Sequence, residues 1–245
     1  MATLMRFFWC DGVQDVLMGI PVEEACRLTD TISRALGYVD VVVAEAEGSL
    51  GYRCAEIVRS QSAGDDPTSE WRRRVRASQT SFYGVEAPPQ VAAAFVLQWY
   101  LGVVATPLAW AATLGPWVID SSPDSLSFEL SERDCFPDAV SIRADRIIEV
   151  LDEGDRLALA HEWYVAHARI FAESYHPPEV RMGTGQRFGI AFDVWMMSLE
   201  SARRAVFPVY RQRPPGRRRG CCMIYALPGG QACSTCPRHK KADKS

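Results

Sequence analysis

Apolar positions along this 245-residue chain recur mostly every three or four residues, the period of a helix with one buried face. Only short stretches alternate every second residue, as a strand does. Residues 20–37 open with the helical kind. Val22, Ala25, Cys26, Ile32 and Leu36 fall close to one face, Pro21 suits a first turn, Glu23 and Glu24 favour the positive end of the dipole, and Gly37 suits the exit. On this pattern Cys26 is a small buried apolar residue. Residues 38–46, YVDVVVAEA, are β-branched and alternate, so they predict a strand. Residues 52–59 fit a second strand or a short helix. Asp66 and Pro67 resemble the cap and first residue of a helix over 68–82. Its four arginines, Arg72, Arg73, Arg74 and Arg76, predict a solvated face paired with nearby acids.

The longest apolar block is 89–114, within which 91–114 hold 24 residues and no charge. That length can span a bilayer. Gln98, Thr106, Pro107 and Thr113 dilute it, alanine dominates it, and flanking basic residues are missing. A buried helix is therefore the better reading, and no transmembrane segment is expected. Pro107 should kink or break that helix. Gly115 to Asp120 turns the chain, residues 126–130 (LSFEL) alternate as a strand, and 139–143 allow another. Helical spacing returns in 155–175, through Leu157, Ala160, Tyr164, Ala168, Phe171 and Tyr175. It returns again in 186–207, through Phe188, Phe192, Trp195, Leu199, Ala202 and Val206. Met196 and Met197 lie on that last helix, and one or both are expected to fill the core. The whole pattern predicts an α+β class: a predominantly helical body with a small sheet, then a C-terminal cysteine-rich segment. Residues 208–220, rich in Pro, Gly and Arg, have linker composition, which divides the chain into a body over 1–207 and a segment over 208–245.

Charge sharpens that division. Residues 201–242 carry ten basic side chains and no acid, whereas residues 1–200 carry 29 acids and 16 arginines. Such asymmetry gives the tail an electrostatic task. Arginine-rich tails can bind nucleic acid, but no aromatic-interleaved platform or recognition helix accompanies this one, so no nucleic-acid partner is expected. The opening residues MATLMRFFWCDG lack the long apolar run and small-residue cleavage site of a secretory signal. A reducing cytoplasm is the expected compartment, with peripheral membrane association left open, and clustered thiols there bind metal more often than they form disulfides.

Four of the eight cysteines sit close together: Cys221 and Cys222, ten residues, then Cys233 and Cys236. A CxxC turn lets two sulfurs converge on one metal. Gly229, Gly230 and Pro228 allow the loop that returns the second pair, and Gly220 can supply the local turn that the vicinal pair needs. Spacing alone leaves a two-iron cluster, a zinc ion, and unligated thiols open.

Rival centres fail on geometry. His161-Glu162 is followed by His167, six positions on, which puts the imidazoles on different helix faces. Gly183-Thr184-Gly185 with Gly189 has the wrong spacing for a dinucleotide loop and is read as a loop. Asp120-Ser121-Ser122 and Asp134 are turn and capping material, and His176 belongs to a turn. Cys10, Cys54 and Cys135 are solitary and have no general base beside them.

Gly220-Cys221-Cys222, ten residues, then Cys233-Ser234-Thr235-Cys236-Pro237 resembles the C-terminal signature of the FhuF-type ferric-siderophore reductases. The resemblance implies that Cys221, Cys222, Cys233 and Cys236 ligate a [2Fe–2S] cluster. It implies an oxidoreductase that passes one electron to Fe(III) in a siderophore, commonly a hydroxamate. The partners would be the ferric siderophore and an electron donor such as a ferredoxin or flavoprotein reductase. Arg217, Arg218, Arg219 and Arg238 would offset the cluster's formal charge, about −2 when oxidised, or bind the acidic body. The body resembles the family more loosely, and no siderophore-contacting residue carries over. The alternative is a zinc- or cluster-stabilised binding or sensor module without redox turnover.

Overall fold

The structure is a computed structural model that describes residues 19–44, 50–212, 214 and 216–239. Its centre is a helix that is apolar all round. This helix, α4 (Pro89–Leu114), follows α1 (Val22–Leu36), α2 (Cys54–Ser62) and α3 (Ser69–Tyr83) and precedes α5 (Glu153–Ser174) and α6 (Thr184–Val206). It is the one helix among the described residues long and apolar enough to cross a membrane, yet 72% of its most apolar window is buried inside the protein. Such burial makes it the core helix around which α3, α5 and α6 pack. It runs unbroken through Pro107, contrary to the expected break. Packing on every side holds the turn that the missing amide would otherwise weaken.

Strands β1 (Asp40–Ala44), β2 (Tyr52–Arg53), β4 (Leu126–Leu130) and β5 (Pro137–Arg143) form a sheet in the order β1-β5-β4-β2. β1 lies parallel to β5, with Val41 opposite Val140, while β4 is antiparallel to both β5 and β2. A separate ribbon pairs β3 (Trp117–Ile119) with β6 (Ile147–Glu149). The α+β class with a predominantly helical body is thus the fold observed. The expected turn at 115–120 is instead largely β3, whose partner lies thirty residues on in the chain. The region 52–59 contains both alternatives in succession, a two-residue strand and then a helix.

Several expectations about faces need correction. Cys26 is exposed, because the buried face of α1 is Ala25, Leu28, Thr29 and Ile32, turned away from it. Met196 and Met197 are both exposed rather than core residues. Arg72 is not solvated: it is 3% exposed and bonds Asp66 at 2.6 Å and Glu179 at 2.6 Å. Arg73 and Arg76 do make the surface pairs expected, with Glu70 and Glu86. Two other buried arginines satisfy helix ends. Arg156 Nε donates to Ala112 O in the last turn of α4, and Arg187 Nε donates to Ala172 O in the last turn of α5. Carbonyls there have no partner within their own helix.

The lone histidine and cysteine positions are structural. His167 Nδ1 donates to Ser121 O at 2.5 Å, which leaves Nε2 to accept from Tyr100 Oη at 2.9 Å. Burial pushes the His167 imidazole down to about 4, so it is neutral. Burial pushes the Cys54 thiol up to about 12, which keeps it protonated and unreactive. Cys10 lies outside the described residues.

Candidate metal centre

The cysteine segment is clamped to the helical body at two places. The first clamp is a backbone crossing. A Cβ on Gly220 would lie 2.4 Å from Ile190 N, and one on Gly189 would lie 3.0 Å from Gly220 N. Glycine at 220 is required for the segment to lie directly on α6, and glycine at 189 eases the same approach. Asp193, one turn further along α6, reaches the same point. Its carboxylate accepts from Arg219 N at 2.8 Å and from Gly220 N at 2.7 Å. The residue is 3% exposed. A buried carboxylate that accepts two main-chain amides is a strong fastening, because its charge is met by donors fixed in place. Gln186 Nε2 adds a bond to Cys221 O at 3.1 Å.

The second clamp is apolar. Leu227 packs with Ala87 and Val91 at the junction of α3 and α4, joined by Tyr83, Phe95, Met223 and Ile224. Between the clamps the chain reverses with Met223 at φ 61° and Gly229 at φ 69°, both in the left-handed region. Gly230 donates to Leu227 O at 2.8 Å, and a Cβ there would strike Ile224 O at 2.4 Å. The loop expected at Pro228, Gly229 and Gly230 is therefore present. The role expected of Gly220 is different: it serves close approach to α6, while Met223 takes the strained turn after the vicinal pair. Gly189 is likewise a helix residue that receives the segment, and Gly183 is the cap of α6.

These clamps bring the two ends of the motif together. Burial raises the Cys221 thiol and the Met223 amide opposes it, while Cys236 and Cys222 beside it raise it further. Cys222 and Cys236 are buried, and Cys221 and Cys233 are half-buried. The CxxC turn is closed by Cys236 N donating to Cys233 O at 2.8 Å. It is tied back to the clamp by Arg218 N donating to Thr235 O at 2.9 Å. All seven cysteines among the described residues are free of disulfides.

The arginines are fasteners rather than a free cationic patch. Arg217 donates to the carbonyls of Pro237 and His239. Arg218 donates to Gln98 Oε1 on α4 at 2.6 Å and lies 3.7 Å from Asp193. Arg219 stacks on Phe192 and Arg238 on Tyr225. The stretch expected to be a linker is thus docked from Arg218 onward, and its 3-10 turn at Pro208–Gln212 packs on α6.

Four thiols, two of them buried, are a donor set of the kind that cysteine-ligated iron–sulfur centres use. Among the described residues no three His, Cys, Asp or Glu side chains converge closely enough for one metal ion. The chemistry of the donors, four cysteine thiols, is the one a [2Fe–2S] centre takes. The class so defined is an iron–sulfur protein whose centre belongs to a C-terminal segment. Residues 218–238 match the family model described as the FhuF 2Fe-2S C-terminal domain, in agreement with the resemblance carried by the cysteine spacing. The match spans the segment and contains all four cysteines. No curated protein and no solved structure matches the chain.

Proposed function

We propose that this protein is a [2Fe–2S] ferric-siderophore reductase acting in the cytoplasm. The observation that carries this reading is the match of residues 218–238 to a 2Fe-2S domain of FhuF type. Cys221, Cys222, Cys233 and Cys236 would supply the four thiolates. When bound, such a cluster supplies one electron at a time. The chain's own part is to hold the thiolates and to exclude solvent from two of them. Gly189, Gly220 and Asp193 do this by fixing the segment on α6, and Leu227 does it by closing the loop on α4.

The substrate is Fe(III) wrapped in hard oxygen donors, as in a hydroxamate siderophore. One electron converts it to Fe(II), which oxygen donors hold less firmly, and the iron is released with the ligand intact. An external one-electron donor of ferredoxin or flavoprotein type must restore the electron. The test is anaerobic purification followed by metal analysis. About two irons and two acid-labile sulfides per chain are expected, with an EPR signal on reduction. Adding a ferric hydroxamate to reduced protein should re-oxidise it. Cys222→Ser and Cys233→Ser should each lose the metal and the activity together. A colourless protein with one zinc, or a reduced protein inert to ferric chelates, refutes the reading.

A further inference from the structure

We propose that the cavity between α4, α6 and β5 is the binding site of an electroneutral metal(III) chelate whose ligand atoms are oxygen. That the metal is iron rests on the reductase reading above; the site itself is argued independently.

The cavity has a volume of about 470 Å³, within the range of small-molecule sites. Trp99, Trp110, Phe136, Val140, Val194 and Met197 supply its apolar walls. Met197, exposed on α6, stands at this cavity rather than in the core.

Gly102 marks the space as built. Glycine in a helix interior weakens the helix relative to alanine, so its presence there needs a reason. Close packing is not that reason, since a Cβ at Gly102 would meet no heavy atom within 4 Å. The missing side chain leaves part of the cavity open.

Trp110 points to a ligand with an acceptor. It lines the cavity, is 1% exposed, and its indole N–H has no hydrogen-bond partner among the described residues. A buried donor left unpaired is costly, and an occupant with a carbonyl or hydroxamate oxygen would relieve it.

Charge selects the occupant. Among the described residues lining the cavity Asp134 is the only charged one, and none is Lys, Arg or His. A polyanionic chelate would lose its hydration there without gaining a cation. Three hydroxamates on a trivalent metal cancel its charge, whereas three catecholates leave the complex trianionic. The cavity therefore favours the first.

Gln98 connects the cavity to the metal centre. It lines the cavity, and its Oε1 accepts from Arg218, three residues before Cys221. With Oε1 occupied, its amide nitrogen is the donor left for a ligand. An occupant would thus lie beside the cysteine segment.

Equilibrium dialysis of the full chain tests this, using the gallium(III) complexes of an electroneutral trihydroxamate and of a tricatecholate. Gallium(III) takes no electron here, so binding is read without turnover. The trihydroxamate complex should bind at a single site, and the tricatecholate at least about tenfold more weakly. In Gly102→Leu the added Cβ meets nothing within 4 Å, the rest of the side chain extends toward the open space, and the helix is improved, so circular dichroism and iron content should match the parent. Its binding should fall by about thirtyfold or more. Trp110→Phe keeps the ring but removes the N–H, and should bind about tenfold more weakly. No gallium binding by the parent, parental affinity in Gly102→Leu, or equal affinity for both complexes overturns the site. If Gly102→Leu is unaffected while ferric hydroxamate still re-oxidises the reduced protein, the site is wrong and the reductase reading stands. If the cavity binds gallium as described and no electron passes, the reverse holds.

Discussion

Replacing Asp193 with alanine should release the cysteine segment from the body. The carboxylate accepts the amides of Arg219 and Gly220 at 2.8 and 2.7 Å, and Gly220 is buried where they meet. A hydrogen bond to a charged acceptor contributes about 1.5–3 kcal/mol. Losing two of them removes about 3–6 kcal/mol of docking free energy, and even the lower figure is more than a hundredfold in the equilibrium. The six α-helices among the described residues end before the segment begins, so the far-ultraviolet dichroism should not change. Two measurements report the release. Iron and acid-labile sulfide per chain should fall sharply after anaerobic purification. Trypsin should then cut readily at Arg217, Arg218 and Arg219, the last two of which are bonded at the clamp in the parent. Asp193→Asn keeps one acceptor oxygen and should lie between. An Asp193→Ala protein with parental iron content and parental resistance at these arginines would show that the carboxylate is not the fastener.

Gly220→Ala should have a similar effect by a different route, since the added methyl would meet Ile190 N at 2.4 Å; unchanged metal content would refute the crossing. His167 is neutral and buried, with a pKa of about 4 against about 6.5 when unfolded. Its contribution is therefore complete above about pH 6.5 and lost as pH falls toward 4, about 3 kcal/mol in all. Urea midpoints across that window should fall in the parent and stay flatter in His167→Gln. The Arg72 hydrogen bonds hold the Asp66 carboxyl below its usual range, and they outweigh the burial that would raise Glu179. Stability from this group is present above about pH 4 and is lost at lower pH as the two carboxylates protonate. Arg72→Met should cost about 2–3 kcal/mol near neutral pH, less than a fully buried pair because both acids are partly exposed; an unchanged melting temperature would argue against it.

Periodicity located the helices because their buried faces are set by near neighbours. Tyr164, Ala168 and Phe171 fall where their spacing puts them. Position within a face was less legible. In α1 the spacing admits both a Val22–Cys26 edge and a Leu28–Thr29 edge, and packing selects the second. β3 was missed because a three-residue strand has too little pattern to announce itself without β6. The four cysteines were plain in the sequence, but what holds them was not. Gly189 and Asp193 interrupt the otherwise apolar surroundings of Ile190, Ala191, Val194 and Trp195. A small residue and an acid there were signals that something must lie close and donate. Their partners are 26 and more residues further on, beyond any local pattern. Gly102 was a similar signal within α4, legible only once α6 and β5 stood beside it.

The parallel pairing of β1 with β5 also governs how the protein comes together. Val41 finds Val140 only after about a hundred residues have been made, so the sheet closes late and around α4. α6 follows, and only then does the chain supply the stretch that lies on it. The stretch that carries the four thiols thus docks on a surface whose own parts are brought together from across the chain. In refolding, the helical signal should return before the thiols become protected from alkylation.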